Sequence, residues 1–371
     1  MDEQYMRLAL ELAAKARGRT TPNPMVGAVI VKNGQVIGQG YHAKAGTPHA
    51  EVHALQEAGA EARGATVYVT LEPCSHYGRT PPCADALIKA GVKRVVVAME
   101  DPNPVVAGNG MARLRQAGIV TEVGLLGDEA KHLNEVFIKY ITTKQPFLLF
   151  KTAMTLDGKI ATRTGQSQWI TGASARGLVH SLRDAYDAIM VGIGTVLADD
   201  PALTTRIPGK VTQDPVRVIV DSQARTPLAA KVFNHESAAS TIIFVSDQAP
   251  PDRVAALRAK GAQVITVPSG EDQRLQMKAV VERLGLEGIT SVLLEGGGQL
   301  AGSCFRAQLV DKVCWFVAPK IVGGYQAPSP IEDLGIDHME KAITLNRITL
   351  QQIGTDLMLE GYPVYGEALA D

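Results

Sequence analysis

The chain has 371 residues, a 46% hydrophobic composition and a formal net charge of −1, enough length for about two domains and enough apolar material for large cores. It has no long run of Lys or Arg and only 5% aromatic residues. That argues against a nucleic-acid surface, where phosphates need clustered cations and bases need rings to stack on, although a local site for one phosphate stays compatible. No apolar run reaches membrane-spanning length. The start, MDEQYMRLALELAAKARG, reads as an amphipathic helix without the apolar centre and cleavage site of a signal peptide. A soluble protein of a reducing cytoplasm is expected, with Cys74, Cys83, Cys304 and Cys314 as free thiols.

After that first helix, strands are predicted at Val26–Lys32 and Gln35–Gly40, joined by Asn33-Gly34, a strong hairpin signal. A helix follows at His49–Ala58, a β-branched strand at Ala65–Leu71, and a helix at Pro81–Ala90 with proline at its start. Strand Lys93–Met99, helix Gly110–Ala117, strand Ile119–Val123 and helix Asp128–Thr142 complete the first half. The alternation predicts a mostly parallel or mixed sheet covered by helices. Lys144-Gln145-Pro146 breaks the pattern, so the boundary is placed there, giving domains at 1–145 and 146–371. The second half repeats the alternation, with strands at Phe147–Ala153, Ala188–Val191, Val216–Asp221, Thr241–Val245, Gln263–Val267 and Ser291–Leu294. Its tail, Lys312–Val322 and Ile343–Leu359, is strand-rich.

His49-Ala50-Glu51, Pro73-Cys74 and Cys83 offer one imidazole, two thiols and a carboxylate. His49 and Glu51 fall at a predicted helix start, Cys74 after a strand, and Cys83 at the next helix start. Helix N-termini favour thiolate over thiol. Three protein ligands for Zn2+ leave the fourth tetrahedral position open for water, and Glu51, free of the metal, can move protons. This is the H-x-E…P-C…C pattern of zinc deaminases, in which metal-activated water attacks an amino-bearing ring carbon. The alternative is a closed structural site with His53 or His76 as fourth ligand. His-Ala-Glu-Val-His is not the H-E-x-x-H of zinc proteases.

The usual deaminase signature has two residues between its cysteines, whereas Ser75–Pro82 puts eight between them here. That longer segment, CSHYGRTPPC, resembles the deaminase domain of the bifunctional deaminase–reductase family of riboflavin biosynthesis. So do TPNPMVGAVIV (21–31), HAEVHAL (49–55), VTLEPCSHYGRTPPCADALI (69–88) and EDPNPVVAGNG (100–110). The resemblance runs on through KTAMTLDGKIATRTGQSQWIT (151–171), GIGTVLADDPALTTR (192–206), LLEGGGQLAGS (293–303) and APKIVGG (318–324), and so spans nearly the whole chain. It implies a cytidine-deaminase-like α/β/α zinc domain followed by a dihydrofolate-reductase-like α/β domain. It further implies hydrolytic deamination of 2,5-diamino-6-(5-phosphoribosylamino)pyrimidin-4(3H)-one and NADPH-dependent reduction of the ribosyl group of 5-amino-6-(5-phosphoribosylamino)uracil to ribityl. A homodimer or larger assembly is also implied, with no nucleic-acid or membrane partner.

By the same resemblance, His49, Cys74 and Cys83 bind zinc and Glu51 is catalytic. Ala153, Trp169, Thr195, Asp199, Ser222, Gly297, Gly298, Gln299, Leu300, Ala301, Gly302 and Ser303 contact NADPH. Ser167, Arg183, Leu203, Arg206 and Glu295 contact the substrate. The residues themselves support part of this. Gly296-Gly297-Gly298 before a helix lets backbone N–H groups approach a phosphate, although a glycine turn without ligand fits the spacing equally. Arg183 and Arg206 suit a ribose 5-phosphate through bidentate pairing. Trp169, beside polar Ser167 and Gln168, is expected as a pocket wall. Lys151, Asp199 and Glu295 are the ionisable candidates for assisting reduction. Asp199 is chosen as proton donor or relay, with a turn or capping role as its alternative.

Asn23, His42, His76, Arg79, Asp101 and Asn103 are further candidates for holding the deaminase substrate. Cys304 and Cys314 are expected as buried free cysteines, and His132, His180, His235 and His338 as structural or exposed. Two competing functions remain at this point. One is a nucleic-acid deaminase whose second half is a binding module. The other is a non-catalytic protein with a structural zinc.

Overall fold

The acid-led start of the chain forms helix α1 (Asp2–Ala14), which buries Met6, Ala9, Leu10 and Ala13 along one stripe, the spacing of an amphipathic helix. The computed structural model describes residues 1–77, 81–103, 107–233 and 236–366. The chain divides into two units, Met1–Lys144 and Gln145–Asp371.

In the first unit, β1 (Gly27–Lys32) and β2 (Gln35–Tyr41) pair antiparallel. Asn33 and Gly34 both have positive φ, 50° and 78°, as a tight two-residue hairpin turn requires. Next come α2 (Ala50–Ala58), β3 (Thr66–Val69), α3 (Cys83–Ala90), β4 (Arg94–Val97), α4 (Asn109–Gln116) and β5 (Val120–Val123). The sheet order is β2-β1-β3-β4-β5. β1 pairs antiparallel with β3, and β3, β4 and β5 run parallel, so the sheet is mixed. Ile30, Val67, Val95 and Val97 are fully buried, as expected for strands covered on both faces. Gly38 and Gly40 let β2 lie close under α2. A Cβ on Gly40 would stand 2.6 Å from the Ala50 carbonyl oxygen and 2.5 Å from the His53 Cβ.

The single helix expected at Asp128–Thr142 is two, α5 (Gly127–Leu133) and α6 (Glu135–Thr143). They meet at Asn134, whose φ of −105° and ψ of 19° leave the helical region. Its side-chain amide is turned to the Met25 backbone, accepting from Met25 N at 2.8 Å and donating to Met25 O at 2.9 Å. These bonds to a distant strand approach offset the loss of helix continuity.

The second unit contains β6 (Phe147–Thr155), α7 (Ala173–Ala185), β7 (Ala188–Gly192), α8 (Ile193–Asp199), β8 (Val216–Val220), β9 (Thr241–Val245) and α9 (Pro251–Ala259). It continues with β10 (Gln263–Thr266), α10 (Met277–Leu286), β11 (Ser291–Leu294), α11 (Gly298–Arg306), β12 (Lys312–Ala318), β13 (Thr344–Ile353) and β14 (Asp356–Val364). One nine-stranded sheet runs β10-β9-β8-β7-β11-β6-β12-β14-β13. All pairs through β12 are parallel, and the strand-rich tail is an antiparallel hairpin added to β12. Alternate residues separate the two faces: Leu148, Met190, Val218 and Phe244 pack with α10 and α11, while Ile189, Ile219 and Ile243 pack with α8 and α9. Cys304 and Cys314 are buried and free. Among the described residues, no helix is long and apolar enough to cross a membrane.

The strand order reverses between β7 and β11. The chain steps outward from β7 through β10, then returns to insert β11 beside β6. In open parallel sheets such a reversal leaves a crevice at the carboxyl ends of the strands.

Candidate active sites

In the first unit, His49 is the N-cap of α2, Cys83 is the first residue of α3, and Cys74 follows β3. These elements bring the three side chains together, with ligand atoms within 4.8 Å of one another. His49 Nδ1 lies 3.2 Å from Cys83 Sγ and 3.6 Å from Cys74 Sγ. Zinc bonds of about 2.0–2.1 Å to nitrogen and about 2.3 Å to sulfur place tetrahedral N and S ligands roughly 3.5 Å apart. The cluster therefore fits a zinc ion. Among the described residues neither His53 nor His76 joins it, so three donors face one point. The Cys83 thiol beside it holds Cys74 well below the usual thiol range, and His49 adds to the fall although burial opposes it. Cys83 is pushed up for the reciprocal reason.

Glu51 lies in the first turn of α2 and is 3% exposed. Burial pushes its carboxyl up to about 7, against the pull of its own backbone N–H. His42 is buried nearby, its ring edge-on to His49 with centroids 5.4 Å apart. Its Nδ1 lies 3.2 Å from the Pro48 carbonyl oxygen and its Nε2 3.3 Å from Asn23 Nδ2. The carbonyl can only accept, so Nδ1 carries the proton and Nε2 accepts from the amide. Arg79 and His235 lie outside the described residues.

The second unit has a cavity of ≈ 740 Å³ at the carboxyl ends of β7, β8 and β11, where the strand order reverses. That volume is in the range of small-molecule and cofactor sites, about 300–1,000 Å³. Thr195, Asp199, Ser222, Gly297, Gly298, Gln299, Leu300, Ser303 and Ser167 line it. Ala153, Trp169, Ala301 and Gly302 do not. Ala301 and Gly302 are buried within α11. Trp169 is 62% exposed, with the Arg176 guanidinium 4.5 Å from its ring centroid, so it is not a wall of this cavity. Asp199 ends α8, and what burial it has pushes its carboxyl up. The turn role falls to its neighbour Asp200, at φ 40°, whose carboxylate accepts from Lys231 N at 2.8 Å.

Of the residues expected at the substrate, Arg183 and Glu295 are brought into contact, and Arg183 and Arg206 both reach Thr204, Arg183 Nη1 donating to its carbonyl at 3.1 Å. Leu203 is 3% exposed and part of the core behind β7 and β8. Arg183 gives its fork to Glu295, with Nε and Nη2 each 2.9 Å from a carboxylate oxygen. Arg206 is exposed, its Nη1 3.3 Å from Thr204 Oγ1. Lys151 stands 3.5 Å from Glu295.

The cytidine and deoxycytidylate deaminase zinc-binding region matches residues 1–99, and the RibD C-terminal domain matches residues 146–359. The riboflavin biosynthesis protein RibD of Aquifex aeolicus is 45% identical over 97% of this chain and 98% of its own. The chain belongs to the RibD family. The structure of Acinetobacter baumannii RibD is 39% identical, with a TM-score of 0.85, covering 98% of this chain and 99% of that one. The Thermotoga maritima structure, described as a diaminohydroxyphosphoribosylaminopyrimidine deaminase/5-amino-6-(5-phosphoribosylamino)uracil reductase, is 38% identical with a TM-score of 0.82, covering 98% and 99%. As a member of the RibD family, the chain is a bifunctional deaminase and reductase of riboflavin biosynthesis. It has a cytidine-deaminase-like fold followed by a dihydrofolate-reductase-like fold, and the family implies zinc and a nicotinamide cofactor.

Sequence reading missed Arg225 and Arg274, which also line the cavity. Arg274 approaches Asp272 at 3.7 Å, while Arg225 is exposed and without an ion-pair partner among the described residues. It also missed Glu72, a buried carboxylate after β3. No spacing rule marks any of the three. Glu72 lies within VTLEPCSHYGRTPPCADALI, but its bonds go to partners 29 and 38 residues away.

Proposed function

We propose that the first unit removes the ring 2-amino group of 2,5-diamino-6-(5-phosphoribosylamino)pyrimidin-4(3H)-one. The second then reduces the ribosyl group of 5-amino-6-(5-phosphoribosylamino)uracil to ribityl with NADPH. The observation that carries the first step is the three-donor cluster of His49, Cys74 and Cys83 beside a buried Glu51. Zinc, once bound, lowers the pKa of water to about 7 and so supplies the nucleophile. Glu51 takes up a proton at its carboxylate, delivers it to a ring nitrogen, and then serves the departing ammonia. A carboxyl raised by burial toward neutrality is matched to that shuttling.

The cavity supports NADPH in the second unit. Gly297 and Gly298 present backbone N–H groups at the start of α11, and Arg225 and Arg274 offer cationic partners for a further phosphate. NADPH, once bound, supplies the hydride. The chain orients the cofactor through Thr195 and Ser222 and moves a proton through Asp199 in the cavity wall. Glu295, which Arg183 and Lys151 hold ionised, is the polar group on the substrate side. Arg206, with its exposed guanidinium, meets the substrate phosphate.

A homo-oligomer in the cytoplasm completes the proposal. Edge strand β13 leaves Ile348 and Leu350 57% and 63% exposed, apolar surface that suits a second copy, and a reducing compartment keeps the thiols free. The deciding experiment is mass spectrometry of products from the diaminopyrimidine phosphate, with and without NADPH. Amine-to-oxygen exchange without NADPH, and hydrogen addition only with it, is the expected result. Exchange that never proceeds to reduction removes the second activity.

A further inference from the structure

Neither proposed reaction uses the buried carboxylate of Glu72, which is 5% exposed and sits two residues before Cys74. Its two oxygens accept four backbone N–H groups. Oε1 takes Gly110 at 2.8 Å and Met111 at 3.1 Å, and Oε2 takes Gly108 at 2.9 Å and Asp101 at 3.2 Å. Its own N–H donates to the Met99 carbonyl at 3.0 Å. An ionised carboxylate offers about four lone-pair sites and no donor, so these four N–H groups saturate it. Two of the donors belong to the first turn of α4, where a helix leaves its N–H groups without internal partners.

Other contacts bind the same two segments. A Cβ on Gly110 would stand 2.0 Å from the Pro73 carbonyl oxygen, so the start of α4 lies directly on the Pro73-Cys74 peptide. One turn further on, Arg113 donates to the Ser75 carbonyl at 3.2 Å and pairs with Asp85 at 2.7 Å. The segment carrying Cys74 is therefore tied to the start of α4 at several points, and Glu72 also ties it to the Asp101 backbone. Asp101 is turned into its own loop, its Oδ1 accepting from Asn103 N at 2.9 Å, and Asn103 O accepts from Ala107 N at 3.0 Å.

We infer that Glu72 is a positioning residue for the deaminase substrate: without touching it, Glu72 holds Asp101 and Asn103 at a fixed place relative to the Cys74 side of the metal cluster, so that the amino-pyrimidine meets preorganised polar groups. A group acting this way contributes to binding geometry and leaves the chemistry at the metal intact. Glu72→Gln keeps the size and one accepting oxygen but turns an NH2 group toward backbone donors. That loosens the loop and leaves Cys74 in place.

The role presupposes the deaminase reading above. The test uses the full chain and measures four quantities in one preparation: deaminase kcat, deaminase KM, bound zinc, and reductase activity as an internal measure of intact protein. For Glu72→Gln, KM for the diaminopyrimidine phosphate rises roughly tenfold or more, as expected for displaced polar contacts. Over the same comparison kcat stays within about threefold, and zinc and reductase activity match the unaltered chain. Gly110→Ala, which pushes α4 off the Pro73 carbonyl, gives the same signature from the other side and decides the matter if Glu72→Gln does not fold. Combining Glu72→Gln with Asn103→Ala raises KM no further than the worse single change, because both act on one contact. Unchanged KM in both single variants, loss of zinc, or a fall in kcat with KM constant overturns the inference. An unaltered chain that does not deaminate removes the underlying reading, and the inference with it.

Discussion

Arg183 and Glu295 face each other fork to fork, with two N–H···O bonds of 2.9 Å, at the carboxyl end of β11. Lys151 approaches the same carboxylate at 3.5 Å, and the Glu295 side chain is only 9% exposed. Burial alone would raise this carboxyl, but the charges of Lys151 and Arg183 outweigh it and hold it down to about 2. The arrangement keeps a negative charge in a nearly dry place next to the glycine turn that lines the cavity.

A carboxyl at about 2 in the folded chain and at 4.5 when unfolded has a depressed folded value. It therefore contributes stability that is fully present above pH 4.5 and is lost as pH falls toward 2. The size is on the order of 3 kcal/mol. Trp169 and Trp315 are the chain's two tryptophans and both belong to the second unit, so tryptophan fluorescence follows its unfolding. Glu295→Gln leaves Arg183 and Lys151 unpaired and is expected to cost about 3–5 kcal/mol at pH 7. Urea midpoints should show the gap between variant and unaltered chain narrowing as pH falls below 4.5. A gap constant down to pH 2.5 would show that the pair does not set the carboxyl.

Replacing Glu51 by Gln keeps the buried shape of α2 and removes the proton carrier. Positioned acid–base groups contribute about 10²–10⁴-fold. Deamination should fall by at least about a hundredfold, with one zinc retained per chain and reduction of supplied 5-amino-6-(5-phosphoribosylamino)uracil unaffected. Full deaminase activity in this variant would remove Glu51 from the mechanism.

The grouping of His49 with Cys74 and Cys83 was legible in the sequence because His49 and Glu51 are two residues apart at a helix start, a local pattern that survives folding. Strand Thr241–Val245 was legible because a β-branched run between turns has few alternatives, and Ser291–Leu294 because a short apolar run ends at a glycine turn. What escaped was long-range. Asn134 breaks a continuous helical pattern only because Met25, more than a hundred residues away, offers its backbone. The pairing of Arg183 with Glu295 joins positions 112 residues apart, and so two residues expected separately at the substrate were not foreseen as partners. Leu203 reads as a motif member, yet its side chain is held in the core.

Arg225 is presented to the cavity from a braced loop. Asp221 accepts from Thr226 N and Oγ1, both at 2.7 Å, and Arg253 donates to the carbonyls of Ala224 at 3.1 Å and Thr226 at 2.8 Å, on either side of Arg225. If this guanidinium meets the extra phosphate of NADPH, Arg225→Ala should raise KM for NADPH by about tenfold to a hundredfold, the worth of a charge-assisted bond. KM for NADH should hardly change. Equal effects on both cofactors would place the phosphate elsewhere.

The close seat of α2 on β2 supplies a prediction about the metal. At Gly40 an added methyl would lie 2.6 Å from the Ala50 carbonyl oxygen and 2.9 Å from Ala54 N. These are backbone atoms that cannot swing aside, so Gly40→Ala must lift the start of α2. His49, its N-cap, moves with it. Overpacking of this kind costs about 1–3 kcal/mol, so the first unit should unfold at lower temperature. Because one ligand is displaced from the two thiols, zinc should be lost to a competing chelator at lower chelator concentration, and deaminase activity should fall in parallel. Reductase activity, carried by the other unit, should remain. Unchanged zinc retention with lowered thermal stability would show that α2 yields away from its N-terminus, and that the strand beneath does not set the place of His49.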